Sequence, residues 1–111
     1  MTDDKPAKTS RQQVYTLLVQ VGRKPGDDLP AKATGGALMC YASGVDEAEA
    51  VRETVAILKQ AELAVLEVEG HGSLDEQKEA GAEIPPEEEA LMLRALEENS
   101  VIVAQMTALY D

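Results

Sequence analysis

The sequence contains no phenylalanine and no tryptophan, and its 111 residues include only three tyrosines, one cysteine and one histidine. Without large rings, the core must be assembled from Val, Leu, Ile, Met and Ala around Tyr15, Tyr41 and Tyr110. Such a core has little surplus burial, and a partner surface or self-association would add to it. A lone Cys40 cannot close an internal disulfide. Small secreted domains are usually disulfide-dense, so this usage points to the cytoplasm. Cys40 lies inside an apolar run with no Lys, Arg or His beside it to lower its pKa, which predicts a small buried hydrophobe. No apolar stretch approaches the ~18 residues of a spanning helix. The opening MTDDKPAKTSRQQ is too polar for a signal peptide or anchor. Residues 1–11 are expected to be a disordered leader and 12–111 a single α/β domain.

Positive charge is also scarce, with 21 Asp and Glu against 10 Lys and Arg, for a formal charge of -11 and a pI near 4.4. Binding to nucleic acid needs clustered Lys and Arg, and anionic membranes repel such a chain, so neither partner is expected. From Val45 to Ser100 the count is 16 acidic residues against Arg52, Lys59, Lys78 and Arg94. That imbalance reads as a solvated face that favours solubility; an acidic mimic of nucleic acid would rest on net charge alone.

Between these scarcities lie clear periodicities. In Gln13 to Gly22, the apolar residues Tyr15, Leu17, Val19 and Val21 alternate with Val14, Thr16, Leu18 and Gln20, which predicts a strand. Residues 23–36 hold two prolines and three glycines and predict a long loop, with Gly35 and Gly36 as turn residues. Ala37 to Ser43 reads as a second strand. Asp46 followed by Glu49 is a capping pattern, and Ala48, Val51, Val55 and Leu58 recur at helical spacing to about Ala61. Leu63 to Glu69 reads as a strand, completing a β-α-β unit whose two strands run parallel, adjacent or with another between them. Residues 70–84 read as a loop, although Ser73 with Glu76 has the spacing to cap one helical turn. Pro85 and Pro86 open a second helix ending near Asn99, with Met92, Leu93 and Leu96 as its stripe. Val101 to Tyr110 is almost wholly apolar, the pattern of a strand deep in a sheet.

The resulting order, β-β-α-β-α-β, predicts an α+β fold. Its expected form is an α/β sandwich of the ferredoxin-like type, with one four-stranded mixed sheet and both helices on one face, although the standard ferredoxin-like order is β-α-β-β-α-β. The opposite face would then need company, and Val14, Thr16, Leu18 and Gln20 are the expected interface of a homodimer. The chemically richest segment is EVEGHG, where strand alternation would put Glu67, Glu69 and His71 on one face as ligand-binding groups. Alternate strand positions are ~6.6 Å apart, and no spaced His or Cys pair accompanies them, so no metal or cofactor is expected. His71 is paired by motif with no nucleophile, so no catalytic residue is assigned. Gly44 lies between a strand and the capped helix, but the carboxylates beside it oppose a phosphate there. The expected function is a non-enzymatic binding or assembly module that self-associates through an open sheet face and leaves two loops, 23–36 and 70–84, for a protein or small-molecule partner. The alternative is a small enzyme or metabolite-binding domain with a pocket where His71 and those loops converge.

Overall fold

The computed structural model describes residues 12–27 and 29–110, so the expected leader at 1–11 lies outside the described residues. The elements are β1 (Gln13–Gly22), β2 (Gly35–Gly44), α1 (Glu47–Gln60), β3 (Ala64–Ser73), α2 (Leu74–Glu79), α3 (Pro86–Glu98) and β4 (Val101–Leu109).

Local chemistry explains most of the boundaries. The Asp46 side chain accepts from the Glu49 N–H at 2.8 Å, and Glu49 Oε1 accepts from the Val45 N–H at 2.7 Å, which satisfies free donors at the start of α1. At α2 the capping box is complete: Ser73 Oγ accepts from the Glu76 N–H and Glu76 Oε1 accepts from the Ser73 N–H. Helix α3 begins at proline with Glu87, Glu88 and Glu89 at its positive end and stops at Asn99, which adopts the left-handed conformation (φ 51°).

The strands form one four-stranded sheet in the order β3-β1-β2-β4. All three pairings, β1 with β2, β1 with β3 and β2 with β4, are antiparallel. Strands β2 and β3 therefore point the same way with β1 between them. The expected ferredoxin-like arrangement is corrected on four counts: the sheet is antiparallel rather than mixed, its order is not that of the ferredoxin-like fold, the described residues hold three helices rather than two, and these do not share a face. The third helix lies in residues 70–84, expected to be a loop, where β3 runs on to Ser73 and feeds directly into α2.

The faces follow from strand alternation. Leu17 and Val19 of β1 pair with Cys40 and Leu38 of β2, and these four pack with Ala50 and Leu58 of α1 and with Leu29 and Leu63. On the opposite face Val14 and Tyr41 pack with Leu74 of α2 and with Met92 and Ala95 of α3. In α3 the buried stripe is thus Met92 and Ala95, whereas Leu93 is exposed. Putting helices on both faces lets a core without Phe or Trp gather two small clusters instead of one thick layer.

Two further expectations change. Gly35 and Gly36 are the first residues of β2, not turn residues. A Cβ on Gly35 would meet the Val21 carbonyl oxygen at 2.5 Å, so β2 can start alongside β1 only with glycine there. Strand β4, expected deep in the sheet, is an edge strand. Its apolar composition is that of an interior strand, but among the described residues only β2 pairs with it.

Candidate functional site

Glu67 and Glu69 stand opposite Gln20 and Leu18 and, with Ala37 and Leu109, line a shallow depression of about 270 Å³. The structure thus brings the two carboxylates to one side of the sheet. His71 does not line this depression: its Nε2 lies 4.0 Å from Glu69 Oε1, with both side chains largely in water, where an ion pair contributes little. A register irregularity between Tyr15 and Leu17 breaks strict alternation just where β3 carries His71, and Gly72 there adopts φ 93°. Among the described residues no three His, Cys, Asp or Glu side chains gather closely enough to hold a metal ion.

The residues expected at an open interface divide in two. Val14 is buried against Leu74 and Met92, and Thr16 is buried with its Oγ1 accepting from Gln77 Nε2 of α2 at 3.0 Å. Leu18 is half-buried and Gln20 exposed, and the depression they line holds no residue of α2 or α3. Residues 23–34 are organised from within. Arg23 donates to Asp27 and to the carbonyls of Pro30 and Ala33, while Asp27 accepts from the backbone N–H groups of Lys24 and Leu29. The N–H groups of Lys24 and Leu29, more than Arg23, hold the Asp27 carboxyl below the usual range. Sequence reasoning missed this pair, although an Arg and an Asp four residues apart across a Pro-Gly turn were the available signal.

Cys40 is fully buried opposite Val103, and burial pushes its thiol up to about 11, so at neutral pH it is an unreactive core group. Burial also raises the phenols of Tyr15 and Tyr41, helped by Glu76, Asp46 and Glu47 around the first and by Glu88 beside the second.

The surface that stands out is the β4 side. Val103 is 43% exposed and Met106 50%, both on α1's face of the sheet by their pairing with Cys40 and Leu38. Tyr110 follows at 59%, and Ile57 of α1, 40% exposed, lines a hollow with Val101. Sequence reasoning placed apolar positions of the final strand on the open face without singling out these residues; the sharper signal was the absence of any charge from Val101 to Tyr110 in so acidic a chain. Among the described residues the other edge strand, β3, carries Glu67 and Glu69 and two register irregularities.

Fold and surface together define an α+β protein whose described residues build one antiparallel sheet, with helices on both faces and an apolar strand at one edge. Residues 14–110 match the family described as "Domain of unknown function (DUF8846)", and the chain belongs to that family. Neither curated proteins nor solved structures give a match. Among the described residues no helix is long and apolar enough to cross a membrane.

Proposed function

We propose that this protein is a non-enzymatic binding or assembly module of the cytoplasm that works as a homodimer, associating along the β4 side of its sheet rather than through the Val14 face. The observation that carries the reading is the exposure of apolar side chains there: Val103 and Met106 on one face of β4, Tyr110 just beyond it and Ile57 of α1 are four of the seven large hydrophobics exposed in the described residues. Scattered exposed hydrophobics need no explanation, but a contiguous set marks an interaction surface. The buried lone cysteine supports a reducing compartment. Sedimentation velocity of the full chain over the micromolar range tests the reading. A dimer is expected, and a monomer at tens of micromolar would end it.

The depression bearing Glu67 and Glu69 favours a second reading, a domain that holds a small cationic metabolite. It is shallow and open, so it ranks behind self-association. Calorimetric titration of small cations into the wild-type protein and into Glu67→Gln distinguishes the two readings, because loss of the carboxylate would alter cation binding and leave the oligomer intact.

A further inference from the structure

We infer that residues 74–98, α2 and α3 with their connection, form a lid over the face of the sheet opposite α1, a lid that opens apart from the rest of the fold and is latched by the Lys78–Glu89 ion pair. Opening uncovers Val14, Thr16 and Tyr41 and joins them to Leu18 and Gln20 on one continuous face.

The lid leaves the sheet at one rim and returns at the other. Strand β3 ends at Ser73 and β4 starts at Val101, and these are the outer strands in the order β3-β1-β2-β4, so the chain between them crosses over β1 and β2. Each end is marked by a residue of positive φ, Gly72 at 93° before α2 and Asn99 at 51° after α3. Such element-terminal positions absorb the rotation of a hinge. The three strand pairings all lie outside residues 74–98. The α1-side cluster lies outside them too: Leu17, Val19, Leu38 and Cys40 are packed with Ala50 and Leu58 of α1. Lifting the lid therefore frees Leu74, Met92 and Ala95 from Val14 and Tyr41 and leaves the sheet packed on α1. A region joined to the fold by so small a cluster opens at lower free energy than the whole molecule.

Charge sets the latch. Residues 74–98 carry nine acidic residues against Lys78 and Arg94, whereas α1 carries three against Arg52 and Lys59. Carboxylates crowded on α2 and α3 repel one another. Arg94 is spent within α3, 3.3 Å from Glu98, while the Lys78 Nζ of α2 lies 2.6 Å from Glu89 Oε2 of α3. Gln77 of α2 reaches the sheet, its Nε2 donating to Thr16 Oγ1 and to the Gly72 carbonyl, each at 3.0 Å. Held together, the two helices share the grip of Leu74, Met92 and Ala95; apart, α2 has Leu74 as its buried apolar anchor. Lys78 thus decides whether they act as one cover.

Two thiols test the lid at a single protein concentration. Val14→Cys places one beneath the lid, and Cys40 lies in the cluster beneath α1 on the opposite face. Labelling by a thiol reagent, resolved by peptide mass and scaled at each site to its rate in the urea-unfolded chain, should be roughly 10-fold faster at the first site. Lys78→Glu should speed that site about 5-fold further and leave Cys40 unchanged, and adding Glu89→Lys should restore the slower rate. In the wild type, amides of α2 and α3 should exchange roughly 10-fold faster than those of α1; this readout needs no introduced cysteine. Equal scaled rates at the two thiols, with α2 and α3 amides no faster than those of α1, would mean that the face is uncovered only by global unfolding and would overturn the lid. Lys78→Glu accelerating both sites alike, or neither, would overturn the latch.

Discussion

The two edge strands, β3 and β4, are opposites. Strand β3 carries Glu67 and Glu69, is interrupted twice in its register with β1, contains Gly70 and Gly72, and runs directly into the capping box of α2. Each of these features discourages another strand from docking. Strand β4 carries none of them apart from its single irregularity at Ala104. Edge position alone therefore does not say how an edge behaves; charge and regularity decide whether it ends a sheet or invites its extension.

The largest expected effect lies between the two edges and serves as their reference. Leu17 of β1 is fully buried in the α1-side cluster, and Leu17→Ala should cost about 3–4 kcal/mol in urea denaturation. A loss below ~1 kcal/mol would mean that the central pair does not anchor the sheet, and the contrast between its edges would lose its frame.

Two glycine substitutions sharpen the comparison next. On the β4 side, Gly35 pairs with Leu109, and the Cβ of Gly35→Ala would press on the Val21 backbone carbonyl; about 1–3 kcal/mol of destabilisation is expected. On the β3 side, the nearest atoms to the Cβ of Gly70→Ala are those of the Glu47 carboxylate, the movable end of a flexible side chain, so the change should stay within about 0.5 kcal/mol. Thermal melts that rank the two in reverse would contradict this account of how the edges are held. A smaller loss, about 1 kcal/mol, is expected for Ser73→Ala, which removes the cap where β3 becomes α2. Far-UV circular dichroism and urea titration would check it.

The pH dependence probes both sides at once. Tyr15 pairs with Ser73 of β3 and Tyr41 with Ile102 of β4, and both phenols are raised above the ordinary value of 10.0. The folded state therefore favours the protonated phenol. This contribution is complete below the unfolded value and fades as pH rises through 10 toward the higher folded values. Urea stability measured at successive alkaline pH should decline over that window, with a shallower decline in Tyr15→Phe and in Tyr41→Phe; identical curves would refute the assignment.

The mildest perturbation is chemical labelling of Cys40, held neutral by burial between β1 and β4 and pushed up to about 11. At pH 8 a thiol reagent should reach it only when β4 or the whole sheet opens. If copies associate along the β4 side, labelling should slow as protein concentration rises.

Much of the chain was legible because its signals are local. The alternation of β1 was readable to the residue, from Gln13 to Gly22. The Asp46–Glu49 cap, the Pro85–Pro86 entrance and the Asn99 stop lie within a few residues of the groups they satisfy. Ser73 and Glu76 carried the same kind of signal, but the glycines and polar residues around a six-residue helix obscured it. Local alternation grouped Val14, Thr16, Leu18 and Gln20 on one face but could not say what covers it: Leu18 and Gln20 remain accessible, while Val14 and Thr16 are covered by α2 and α3.

Sequence by itself determined where the chain would bend, cap and alternate, because capping and pleating act between neighbours. It also determined that Val101–Leu109 would be apolar and uncharged. Only the tertiary structure decided that the helices lie on both faces and that this apolar strand sits at the rim beside β2. Strand order and helix side are settled by packing among residues far apart in the chain, and no local pattern encodes which of several apolar strands will be left on the outside.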